Sequence, residues 1–229
     1  MTKTLKTSKI NAASDVSTFR DKCAAIAQAD VTAMQADIVA SFARRDTFEA
    51  ANAIGVTSYT TNRAKVLGNS IAVSRFLLAL NVTAASVIER KVSANAMFNS
   101  KALKKIVELA QFACTGSKKI EKVLQAFIVC SLAFEAKQSG AIANRFNKSF
   151  LSSVDFSQIV SDSDLADYLA DYQHAFMSGG KDTQSSQARN VLDVLKLGSI
   201  VNCENKSRGG IEIDTTHLFY ADFTAAFCK

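Results

Sequence analysis

Apolar residues recur along this chain every three or four positions, separated by short polar breaks, and that rhythm predicts helices. Phe19, Cys23, Ile26 and Ala27 fall at helical spacing behind a start at Ser14 or Asp15. Asp30 is placed to cap a second helix with the stripe Val31, Met34, Ile38 and Phe42. β-Branched residues and Gly55 between Ile54 and Thr61 predict a loop or a short extended piece. Helix resumes from Arg63 to Leu80, where Val66, Leu67, Ile71, Val73, Phe76, Leu77, Leu78 and Leu80 occupy nearly every face, the mark of an enclosed helix. A further helix is expected over Thr83 to Val92.

The next two helices are basic. One runs from Ser100 to Cys114 with Leu103, Ile106, Val107 and Ala110 inward, which places Lys104, Lys105 and Glu108 on the opposite face. Thr115, Gly116 and Ser117 break it, and a longer helix is expected from Lys118 to Lys137, ending before Gly140, with a shorter piece over 142–151. Ser161 and Asp164 have capping-box spacing and open a helix whose inner stripe is Leu165, Tyr168, Leu169, Tyr172 and Phe176. Gly179 and Gly180 stop it. Another helix follows from Thr183 to Leu197, with Gly198 as its C-terminal stop. Ser199 to Cys203 and Ile211 to Thr215 then flank a glycine-rich turn and read as a hairpin, and the aromatic segment Leu218 to Phe227 is expected to pack back on the core. The expected fold is mainly α: a multi-helix bundle with a C-terminal helix-turn-helix and a small, wing-like β-hairpin. Residues 1–13 form a basic arm, 14–150 a helical domain, and 151–229 a subdomain able to pack as one domain with it.

Composition bounds the function. With 229 residues, 48% of them hydrophobic, the chain can bury a sizeable core, and the absence of proline removes the commonest helix stop. Lysine and arginine number 27 against 21 acids, a formal charge of +6. That excess is concentrated: Lys101 to Lys148 holds nine lysines and arginines and three glutamates, whereas Phe150 to Gly180 holds five aspartates and no lysine or arginine. Five widely spaced cysteines indicate reduced thiols and a cytoplasmic setting, with no disulfide framework. The most apolar windows, Ile71 to Leu80 and Val123 to Phe134, fall short of the roughly 20 residues a membrane helix needs, so no membrane partner is expected.

No catalytic signature is present. His174 and His217 sit in neither a nucleophile elbow nor a zinc pattern, and Gly179-Gly180-Lys181 lacks the first glycine and the Ser/Thr of a phosphate loop. Asp164, Asp167 and Asp171 share a helical face, but no histidine or further acid joins them at ligand spacing. A non-enzymatic protein without metal or cofactor is the expectation. Lys118, Lys119 and Lys122, by contrast, crowd the start of a helix, where each exposed cation is unfavourable by about 0.3 to 1 kcal/mol unless an anion joins it.

The succession of helix, turn, helix and hairpin over residues 162–216, with Thr183 to Gln187 opening the second helix on short polar side chains, resembles a winged-helix module. The resemblance implies that Ser186, Gln187, Arg189 and Asn190 face bases and phosphates and that Lys206 and Arg208 form the wing tip. Together with Lys104, Lys105, Lys118, Lys119 and Lys122, these would bind nucleic acid, DNA over RNA. The alternative is a structural or assembly protein of a virus or mobile element, a homo-oligomer whose acidic and basic faces pair between copies.

Overall fold

The computed structural model describes residues 16–52, 56–89, 100–118, 155–167, 170, 195–202 and 212–229. The chain is mainly helical: α1 (Phe19–Ala24), α2 (Gln28–Asn52), α3 (Val56–Gly68), α4 (Ser70–Ala79), α5 (Ala84–Ile88), α6 (Ser100–Thr115) and α7 (Leu218–Phe227), with a 3₁₀ turn at Phe156–Gln158 and helical turns at 163–167 and 195–197. None of these helices is long and apolar enough to cross a membrane.

Local chemistry sets the helix ends, not always at the expected residue. Thr18, rather than Ser14 or Asp15, opens α1: its hydroxyl accepts from Asp21 N–H while the Asp21 carboxylate accepts from Thr18 N–H, a reciprocal cap. Asp30 lies inside the first turn of α2, where its charge complements the helix dipole, and the first intrahelical bonds go to Ala27 O. At 163–167 the cap is Asp162, whose carboxylate takes Leu165 N–H at 3.0 Å, in place of Ser161. Thr83 caps α5 through Ser86 N–H.

The segment expected to be a loop at Ile54 to Thr61 is largely helix, because α3 begins at Val56. Tertiary packing overrides the weak helical preference of its β-branched residues: Tyr59 and Val66 are buried, and the Tyr59 ring lies 6.4 Å from Phe42 of α2. The helix expected to be continuous to Leu80 breaks at Asn69, and Ile71 is exposed rather than enclosed.

Three C-termini close with a left-handed residue. In α4, Val82 N–H reaches back to Leu77 O and Asn81 N–H to Leu78 O, with Asn81 at φ 58°. The same double bond pattern ends the 195–197 turn, where Ile200 N–H reaches Leu195 O, Ser199 N–H reaches Lys196 O, and Ser199 has φ 57°. The left-handed position is therefore Ser199, not Gly198. Gly198 is small for another reason: a β-carbon there would stand 2.6 Å from Leu80 Cδ2. Gly116, at φ 70°, ends α6 with its N–H on Phe112 O.

One hydrophobic cluster includes residues from Phe19 to Phe227. α2 packs on α4 and α5, and α6 lies against α1, α3 and α4. At its centre an aromatic group gathers Phe19 (α1), Phe76 (α4), Phe112 (α6) and Phe219, Phe223 and Phe227 (α7), with edge-on contacts such as Phe19 to Phe219 at 5.4 Å and Phe112 to Phe223 at 5.6 Å. Each such ring contributes about 1.5 to 3 kcal/mol by burial. The C-terminal segment thus packs into the core as its aromatic content predicts. Its end pairs with the 3₁₀ region: Lys229 N–H bonds Ile159 O, and Ser161 N–H bonds Phe227 O. Strands β1 (Val201–Asn202) and β2 (Glu212–Ile213) form a short antiparallel pair, with Val201 opposite Ile213 and Asn202 opposite Glu212.

A buried arginine joins three helices. Arg45 of α2 is 2% exposed; its Nε donates to Glu49 at 3.0 Å, its Nη1 donates to Ile88 O of α5 at 2.7 Å, and its guanidinium lies over the Tyr59 ring of α3 at 4.7 Å. The charge is paired, hydrogen-bonded and stacked, which offsets its removal from water.

Candidate functional site

Lys104, Lys105 and Lys118 fall within the described residues and occupy three different environments. Lys104 is half-buried and reaches Glu108 at 3.7 Å. Lys105 is only 3% exposed and Glu108 is buried too, so the face of α6 expected to be a solvated lysine surface lies inside the protein. α3, about two turns longer than its sequence suggests, packs along α6. Lys118 is exposed, just past the end of α6, and its ammonium sits 5.6 Å from the Phe227 ring centre. Lys119, Lys122, Ser186, Gln187, Arg189, Asn190, Lys206 and Arg208 lie outside the described residues, as does the helix expected to begin at Lys118.

Arg20 joins Lys118 at the end of α6, a placement the sequence did not reveal. Its guanidinium lies over Gly116 so closely that a β-carbon there would collide with it, while its backbone N–H is held by the Asp222 carboxylate of α7 at 3.2 Å. Two exposed cations from distant segments therefore flank Gly116 and Ser117, at the end of a helix whose dipole favours positive charge.

Beside this rim opens a groove of about 590 Å³ lined by Cys23, Gln35, Asn69, Ser70, Arg75 and Cys114 among others. Its polar wall is tied together: Gln35 Nε2 donates to Ser70 Oγ at 2.9 Å, and Gln111 Nε2 donates to Asn69 Oδ1 at 2.8 Å. Arg75 Nη1 donates to the carbonyls of Cys23, Ala24 and Ile26 at 2.9 to 3.3 Å, closing the C-terminal end of α1.

Cys23 is buried in the core, whereas Cys114 is half-buried at the groove, where its thiol donates to Ala72 O at 3.5 Å. The neighbouring Cys114 side chain and burial raise the Cys23 thiol well above its ordinary value. Cys114 is lowered by its neighbour Cys23, against burial and with Arg75 adding to the effect. No spacing motif marks this pair, since each cysteine reads singly as an apolar core position. Among the described residues no three His, Cys, Asp or Glu side chains group as a metal site.

The chain is thus a mainly helical protein whose described N- and C-terminal segments share one core. No protein family, curated protein or solved structure matches it.

Proposed function

We propose that this protein binds duplex nucleic acid without catalysing a reaction, DNA in preference to RNA, with the segment over residues 162–216 acting as a winged-helix element. The observation that carries the reading is the link between a helix end and a strand pair. The 195–197 turn is locked against Leu80 through Gly198, and the chain passes within a few residues into β1, which pairs with β2. A connection between β1 and β2 carries Lys206 and Arg208, the wing residues of this reading.

Anchoring matters to such a module because groove contacts specify a sequence only when the helix presenting them is held rigidly. Leu195, Ile200 and Val201 belong to the core, which would hold the C-terminal end of the presenting helix of this reading. Ser186, Gln187, Arg189 and Asn190 lie one to three turns before that anchor in the sequence. Arg20 and Lys118, exposed at the end of α6, supply further positive charge, and Lys119 and Lys122 follow in sequence. Lys105 has no part in this surface, and Lys104 is partly engaged by Glu108.

Fluorescence anisotropy of a labelled duplex, titrated at several salt concentrations, tests the proposal. Binding should weaken steeply with salt. Reversing both Lys206→Glu and Arg208→Glu should weaken it at least about tenfold and lower the salt slope by about two, one per lost phosphate contact. Absence of binding to duplex DNA at low salt would reject the proposal, and equal affinity for single-stranded RNA would reject its preference for DNA.

A further inference from the structure

We propose that Cys23 and Cys114 are an oxidisable dithiol, a modification site at which hydrogen peroxide converts the two thiols into a disulfide joining α1 to the C-terminal turn of α6. Both cysteines line one groove and stand on two helices that pack directly against each other. The groove is large enough to admit a small peroxide, and it delivers that peroxide to Cys114, because Cys23 lies beneath it with 1% of its surface exposed.

The division of labour follows from this placement. Cys114 supplies the attacking sulfur, as a thiolate: it is the more exposed of the two cysteines, and Arg75 shares its groove wall. Its sulfur attacks one peroxide oxygen, the O–O bond breaks, and the departing hydroxide takes a proton to leave as water, with sulfenic acid on Cys114. Cys23 then resolves it. The Cys23 sulfur bonds to the Cys114 sulfur, the S–OH bond breaks, and that hydroxide leaves as water with the proton of the Cys23 thiol. Two thiols have lost two electrons and two protons, and one peroxide has become two waters.

A buried resolving thiol in the same groove should make closure faster than further oxidation to the sulfinic acid. Cys228, also half-buried but placed at the end of α7 and raised in pKa by burial, should remain a thiol under the same conditions.

The full chain, treated with one equivalent of hydrogen peroxide and then with N-ethylmaleimide, is digested without reduction and mapped by mass spectrometry. The expected product is a Cys23 to Cys114 cross-linked peptide pair lacking two hydrogens, reversed by dithiothreitol. In Cys23→Ser the Cys114 sulfenic acid should persist and react with dimedone. In Cys114→Ser, Cys23 should stay reduced. Should either serine variant fail to fold by circular dichroism, the wild-type peptide map still decides. The proposal is overturned if Cys23 and Cys114 both remain alkylated by maleimide, if Cys114 goes to the sulfinic acid without a cross-link, or if either pairs with Cys130, Cys203 or Cys228 instead. None of these outcomes depends on nucleic-acid binding.

Discussion

Leu80 and Gly198 meet as the terminal residues of two helices that close in the same way: each is followed by a left-handed residue, Asn81 or Ser199, and each helix end returns two backbone bonds. A β-carbon on Gly198 would stand 2.6, 2.9 and 3.1 Å from Cδ2, Cδ1 and Cγ of Leu80, which is itself 9% exposed. Gly198→Ala should therefore destabilise the protein by about 1 to 3 kcal/mol through overpacking. Leu80→Ala leaves room for the new methyl, so the double variant should be more stable than the sum of the two single losses predicts. Urea denaturation of all four proteins measures the coupling, and strict additivity would show that the two residues do not press on each other.

Removing Arg45 should be far more damaging than removing a surface arginine. Arg45→Met keeps much of the volume but leaves Glu49 without its buried counter-charge and Ile88 O without its donor, a loss of about 3 to 5 kcal/mol. Arg44 pairs with Glu89 at 2.7 Å from a side chain that is 57% exposed, and Arg44→Met should change stability by less than about 1 kcal/mol. Thermal or urea unfolding would compare the two, and similar losses would contradict the assignment of Arg45 as the joint between α2, α3 and α5.

His217 gives the fold a dependence on pH. Its Nδ1 accepts Phe219 N–H at 3.1 Å and caps α7, which requires a neutral ring, and burial lowers its pKa below 6.5 against an opposing pull from Asp214 and with a small contribution from Lys22. The unfolded chain takes up the proton first as pH falls. The stability held by this histidine is complete above 6.5 and is lost as pH drops from there through the lowered folded value. His217→Asn keeps a capping side chain without the titration, so it should flatten that part of the stability profile. Asp214, lowered from 3.8 mainly by the Thr216 hydroxyl, acts in a separate and more acidic range.

Ser74 is fully buried on α4, and its hydroxyl has no hydrogen-bond partner among the described residues. An unsatisfied buried hydroxyl costs about 1 to 3 kcal/mol, so Ser74→Ala should raise stability by about 1 kcal/mol with no change in fold. A destabilised alanine variant would mean that the hydroxyl has a structural role after all.

What the sequence made legible is what a single helix decides for itself. The stripe of Val31, Met34, Ile38 and Phe42, the span of α6 and the break at Gly116 follow from spacing and turn chemistry and need no knowledge of neighbours. Where a second helix intervenes, local reading fails. Val56 to Thr61 carry β-branched residues yet are helical, with Tyr59 buried, and Lys105 and Glu108, expected on a solvent face, are buried. The cysteine pair was hidden for the same reason, since nothing near Cys23 announces Cys114. Glycine at 198 was correctly marked as special but for the wrong cause, a backbone angle in place of a crowded neighbour.

The aromatic group at the centre of the molecule has a consequence for how the protein is made. Arg20 and Asp222 are 202 positions apart, yet they bind each other beside Phe19 and Phe219. During synthesis, α1, α4 and α6 leave the ribosome before Phe219, Phe223 and Phe227, which pack against Phe19, Phe76 and Phe112. A polypeptide stopped before α7 would carry an oily face that chaperones and proteases recognise. Enclosing the α1, α4 and α6 rings in this way therefore waits on the synthesis of α7.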